Sequence, residues 1–131
     1  METTTPKQVA LAMYQAISDR DVPRFFSCLS DDVRITLYGS HRLARTFKGK
    51  DDIRSNMFGP VVERLEAGIR FTFKSVIAEG NHVAIEADGS ARTKDGRDYR
   101  NAYCFVVTVE NGKVVESREY MDTELAKSVI G

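Results

Sequence analysis

Two hydrophobic periods divide the chain near residue 67. Before that point apolar residues recur at helical spacing. Val9, Ala12, Met13, Ala16 and Ile17 form one stripe. Thr5 can cap this helix, Pro6 suits its first position, and Gln8 stands at the capping-box distance. A second, shorter helix is predicted from Asp21-Val22-Pro23, burying Phe25, Phe26 and Leu29 and ending at Ser30-Asp31-Asp32. Val33, Ile35 and Leu37 then alternate with Arg34, Thr36 and Tyr38, a strand pattern. From 39 to 48 the pattern predicts a loop with a short strand around 43–47. A longer helix follows Gly49, with Ile53, Met57, Val61, Val62 and Leu65 apolar, and Gly59-Pro60 should kink or split it.

Beyond Gly68 the period drops to two. Ile69, Phe71 and Phe73 alternate with Arg70, Thr72 and Lys74. Strands are predicted over 82–93, 97–110 and 113–122, with Glu79-Gly80-Asn81, Asp95-Gly96 and Asn111-Gly112 as the turns between them. Asp88-Gly89 is a competing turn, but Asp95-Gly96 leaves two strands of similar length. A short helix over 123–129 closes the chain. Helices first and hairpin-linked strands second predict an α+β fold. Three helices would pack on a strongly curved, mixed or antiparallel sheet and leave a conical hollow, the usual place for a ligand.

Composition narrows the picture. The 131 residues fit one domain spanning the whole chain, and 19 basic against 19 acidic side chains remove the footprint of a nucleic-acid binder. No apolar run approaches the ~20 residues that span a bilayer, and the N-terminus lacks the features of a secretion signal. Cys28 and Cys104 make neither a disulfide framework nor a zinc set, and His41 and His82 lack ligand spacing. The expectation is a soluble cytoplasmic protein that uses no metal or cofactor and binds neither nucleic acid nor membrane.

Alternation assigns faces to the strands. Asp88 shares a side with Ala84 and Glu86. Tyr99, Asn101, Tyr103 and Phe105 form one row, and Arg118, Tyr120 and Asp122 form another, opposite Val115, Ser117, Glu119 and Met121. If Asp88, Asn101/Tyr103 and Arg118/Tyr120/Asp122 meet in the hollow, two carboxylates are available for acid–base work, with Arg118 setting their charge. Asn101, Tyr103 and Tyr120 would then clamp a developing oxyanion. Tyr14, His41 and Phe58 complete the candidate binding residues. Plainer roles stand beside these. Asp122 also occupies the N-cap position of the last helix, and Asp88 a turn or bulge position.

The segment from Asn101 to Asp122, with its Arg118-Glu-Tyr-Met-Asp122 ending, resembles the C-terminal hairpin of SnoaL-like, ketosteroid-isomerase-related proteins of the nuclear transport factor 2-like superfamily. Met13–Asp21, Leu29–Val33 and Thr46–Ile53 match the other landmarks. The resemblance implies a cone-shaped α+β barrel, a homodimer formed through the sheet, and an apolar pocket. Members include isomerases, polyketide cyclases, epoxide hydrolases, dehydratases and pure binding modules, so the fold leaves the activity open. Against the epoxide hydrolases Asp88 and Asp122 fall at the catalytic aspartates, but Glu86 stands where the bridging arginine belongs. Against ketosteroid isomerase, whose Asp base and Tyr/protonated-Asp oxyanion hole are well characterised, the base position falls near Thr36 or Leu37. The resemblance thus implies a cofactor-free acid–base enzyme of isomerase, cyclase or dehydratase type. It would act on a mostly apolar carbonyl or hydroxyl compound through Asp122, Asp88 and Arg118. The alternative is a non-catalytic ligand-binding or dimerisation module.

Overall fold

A computed structural model describes residues 4–131. Helix α1 (Pro6–Ser18) opens with the capping box read from the sequence: Gln8 N donates to Thr5 Oγ1 at 3.2 Å and Thr5 N to Gln8 Oε1 at 2.9 Å. Helix α2 (Val22–Ser27) is capped by Asp21. It ends earlier than expected. Strand β1 (Leu29–Leu37) absorbs Ser30, Asp31 and Asp32, in a stretch where its register with the last strand is irregular. Strand β2 (Thr46–Lys48) follows the loop. The third helix is divided into α3 (Gly49–Asp52), a wider π-helical stretch over Ile53–Phe58, and α4 (Gly59–Arg64). The missing amide of Pro60 accounts for the break, since it cannot close the helical ladder.

Strands β3 (Arg70–Glu79), β4 (His82–Arg92), β5 (Asp98–Glu110) and β6 (Lys113–Met121) follow as hairpins, then α5 (Thr123–Ile130). The curved six-stranded sheet has the order β2-β1-β6-β5-β4-β3. It is mixed, because β1 runs parallel to β6 while the other neighbours are antiparallel. Its concave face carries Val83, Ile85, Phe105 and Val107, fully buried beneath α1, and Val33 and Ile35, fully buried on β1 against which α2 and α3 pack. Tyr14 fills the centre, stacked on Phe105 at 3.8 Å between ring centroids, so side chains occupy the middle of the hollow expected from the sequence. Among the described residues no helix is long and apolar enough to cross a membrane.

Register decides which side chains face inward. A two-residue Asp95-Gly96 loop would place Asp88 opposite Tyr103. Instead the loop holds three residues, with Gly96 at φ +90° and Thr93 N donating to Arg97 O at 2.8 Å, and Asp88 pairs with Ala102. A regular ladder from Asn111-Gly112 would place Tyr103 opposite Tyr120. A bulge intervenes, Val114 facing Val109 but Glu116 facing Thr108, so Val115 is the extra residue. A one-residue shift turns every following side chain to the opposite face.

Candidate functional site

Because of the Val115 bulge, the inward row of β5 meets Ser117 and Glu119 rather than Arg118 and Tyr120. Phe105 lies directly opposite Glu119, and Val107 opposite Ser117. Glu119 is partly covered as a residue, while Ser117 and Tyr14 are fully buried. The Tyr14 phenol donates to Glu119 Oε2 at 2.9 Å and lies 2.6 Å from Ser117 Oγ. Its single proton is spent on the carboxylate, so the serine hydroxyl is the donor in the second contact. Loss of hydration pushes the Glu119 carboxyl from its ordinary 4.5 up to about 7, with the Tyr14 hydrogen bond acting in the opposite direction. Burial raises the Tyr14 phenol further, and the neighbouring negative charge adds to it. Glu119 Oε1 has no hydrogen-bond partner among the described residues.

A second polar string runs along β5. Asn101 Nδ2 donates to Tyr99 Oη at 2.8 Å, and Tyr99 Oη lies 2.8 Å from Tyr103 Oη. The amide nitrogen can only donate, so of the two phenolic protons one joins the tyrosines and the other is left without an acceptor among the described residues. Tyr103 stacks on Phe105 at 5.5 Å and stands diagonally across the β5–β6 ladder from Glu119. Burial pushes its phenol well above the usual range, the Glu119 charge adding to the effect. Gly89 makes this placement possible: a Cβ there would lie 2.6 Å from Tyr103 Cε2.

Of the residues singled out from sequence, Tyr14, Asn101 and Tyr103 lie on the concave side, Tyr14 with Glu119 and the other two in the β5 string. Asp88 and Arg118 do not face it. Asp88 is on the convex face, its side chain 57% exposed and 3.8 Å from Lys74 Nζ. Arg118 shares that face and pairs with Glu116 at 3.1 Å. Tyr120 is also outside, stacked on Tyr38 at 4.8 Å. Asp122 takes the plainer of its two roles: Oδ1 accepts from Glu124 N at 3.0 Å and Leu125 N at 3.3 Å, capping α5. The two aspartates do border one open cleft of about 470 Å³, with Ser90 and Arg100. His41 is buried in the loop before β2, where Nδ1 accepts from Leu43 N at 3.2 Å and desolvation lowers its basicity. Phe58 packs edge-on against Phe25 at 4.9 Å, away from the Glu119 group.

Glu119, Ser117 and Tyr99 were absent from the sequence-based site. Alternation had already grouped Glu119 with Ser117; only the bulge at Val115 reveals that theirs is the inner side. Among the described residues, no group of three or more His, Cys, Asp or Glu side chains could hold a metal ion.

The model of a SnoaL-like domain matches residues 10–117. The chain belongs to the SnoaL-like family. Its architecture agrees with solved members of the wider superfamily. It superposes with a TM-score of 0.86 on a nuclear transport factor 2-like protein of unknown function from Burkholderia pseudomallei, at 23% identity over 98% of each chain. TerC, co-crystallised with polyporic acid, is 21% identical over 96% of this chain and 98% of its own, with a TM-score of 0.82. A SnoaL-like polyketide cyclase, so described provisionally, from Jannaschia is 12% identical over 99% and 96%, with a TM-score of 0.76. No protein of curated function matches. SnoaL-like membership places the chain in a family of small-molecule binders.

Proposed function

We propose that this SnoaL-like protein catalyses a cofactor-free proton transfer next to a carbonyl group of a small, mostly apolar compound, with Glu119 as the acid–base. The observation carrying this reading is a desolvated carboxyl at about 7 whose Oε2 is held by Tyr14 while Oε1 is unpaired. A base poised near neutrality both accepts and returns a proton readily. The uncommitted phenolic proton of the Tyr99–Tyr103 pair supplies a donor for the enolate oxygen that forms when the carbon proton leaves. Phe71, Phe105 and Met121 provide the apolar surroundings. Isomerisation and aldol cyclisation both begin with this step.

The test is hydrogen–deuterium exchange at carbon next to the carbonyl in a panel of aryl ketones, followed by NMR in heavy water. Exchange should rise with pH through about 7 and fall by roughly a hundredfold or more in Glu119→Gln. Ketone binding with the same slow exchange in both proteins would instead assign the chain as a binding module without turnover.

The convex face suits self-association. The Tyr38–Tyr120 stack, each residue 42% exposed, has Cys104 opposite Tyr120, and the neighbouring row runs Thr36–Arg118–Val106 across three strands. A homodimer through this face is part of the proposal. Sedimentation velocity should give a dimer that Tyr120→Glu converts to monomer.

A further inference from the structure

A second cleft, of about 510 Å³, opens where the end of α1 meets the start of β3 and is lined by Gln15, Ser18, Asp19, Arg20, Arg70 and Phe71. Its edges are held together by Phe71 N, which donates to Ser18 Oγ at 2.6 Å. The charges in it are unbalanced. Asp19 is already engaged by Arg24 at 3.5 Å and by Gln15 Nε2 at 3.0 Å, whereas neither Arg20 nor Arg70 has an ion-pair or hydrogen-bond partner for its guanidinium among the described residues. Arg20 is also conformationally costly. It follows the C-cap of α1 at φ +58°, a position that favours glycine. The left-handed turn closes the helix, Asp21 N donating to Ala16 O at 2.8 Å and Arg20 N to Ile17 O at 3.1 Å, and it leaves the Arg20 side chain at the cleft.

The cleft adjoins the site described above through one ring. Phe71 contacts Tyr103 at 5.4 Å and Phe105 at 5.3 Å, both edge-on, and Tyr14 at 6.1 Å. We propose that the cleft receives the anionic group of a small molecule, a carboxylate, sulfonate or phosphate reached by Arg20 from the end of α1 and by Arg70 from the outward row of β3 at the sheet edge, while its apolar body lies along Phe71 toward Glu119. The inference rests on the proposed function only for the direction in which the apolar body points; guanidinium recognition of an anion stands independently.

Anilinonaphthalene sulfonate is a suitable probe, with uncharged phenylnaphthylamine as its counterpart, both followed by fluorescence titration. Arg20→Gly suits this backbone position and should not lower the Tm. It and Arg70→Gln should each weaken sulfonate binding by roughly fivefold or more and leave the neutral probe within about twofold. High ionic strength should weaken the sulfonate selectively. Glu119→Gln should retain sulfonate binding even if it abolishes exchange, so loss of exchange alone leaves the anion site standing. The proposal is overturned if the sulfonate does not bind, if both probes weaken equally, or if Arg20→Gly lowers the Tm without selective loss of the sulfonate. That last result would reduce Arg20 to a cation at the C-terminal end of a helix.

Discussion

Tyr14 on the first helix and Glu119 on the last strand are 105 residues apart in the chain and joined by a 2.9 Å hydrogen bond. The contact ties the helix to the sheet at the one carboxyl that, among the described residues, the concave face carries near Phe105. Stacking of Tyr14 on Phe105 keeps the phenol aimed along the sheet surface. Packing and polarity are therefore set by the same residue.

A buried acid with a raised pKa makes stability depend on pH with a sign opposite to that of an ion-paired carboxylate. Glu119 binds its proton more tightly when folded, at about 7, than at its ordinary 4.5. Its stabilising contribution is complete below 4.5 and is lost as pH rises through 7. Glu119→Gln should be nearly neutral at pH 4.5 and more stable than the parent at pH 8, by about 3 kcal/mol at most. Urea denaturation of both proteins at the two pH values measures the difference. A gap unchanged between them would remove the desolvated acid.

Tyr14→Phe keeps the ring stack and deletes the hydroxyl shared by Ser117 and Glu119. Ser117 Oγ is then buried without its partner, at a cost of about 1–3 kcal/mol. The hydrogen bond from Tyr14 lowers the Glu119 pKa, so its removal should move that carboxyl above 7. Carbon-labelled glutamate titrated by NMR would report the shift. A carboxyl that stayed in place, or moved down, would contradict the assignment.

Gly89 has an ordinary backbone conformation, so its role is space alone. A methyl group there would approach Tyr103 Cε2 at 2.6 Å and Ile69 Cδ1 at 2.9 Å. Gly89→Ala should destabilise the fold by about 1–3 kcal/mol. It should also displace the Tyr103 ring and slow the proposed exchange, since the Tyr99–Tyr103 contact at 2.8 Å depends on ring position. Thermal unfolding and the ketone assay together test this; a variant with parental stability and exchange would show that Tyr103 has room to spare.

The elements were legible because their signals are local. The Thr5–Gln8 capping box, the Asp21 cap and the Gly80, Gly96 and Gly112 turns depend on residues a few positions apart. The site was not, because it depends on pairing between strands. Asp88 and Arg118 alternate as expected within their own strands, yet each belongs to the convex face once the three-residue loop and the Val115 bulge have shifted the ladders. No propensity in Val115 announces a bulge. Glu119 is detectable only through its partner Phe105, a relationship that alternation along one strand does not contain. The parallel β1–β6 pairing, which brings Leu37 beside Glu119, likewise joins segments remote in sequence.

Asp122 separates a capping role from a chemical one. Its Oδ1 accepts from Glu124 N and Leu125 N, while its backbone is gripped by Asn101, whose Nδ2 donates to Asp122 O at 2.9 Å and whose Oδ1 accepts from Asp122 N at 3.1 Å. Asp122→Ala removes the first set of bonds and leaves the second, so it should cost about 1 kcal/mol of stability and loosen the start of α5. Asp122→Asn retains a capping oxygen and should cost less. Because the carboxylate sits at the rim rather than beside Glu119, exchange should survive both changes within a few-fold. Asp88→Asn, which breaks only an exposed pair with Lys74, should leave stability within about 0.5 kcal/mol and exchange unaltered. A loss of exchange in Asp122→Asn, with stability retained, would return the acid–base role to the aspartates and take it from Glu119.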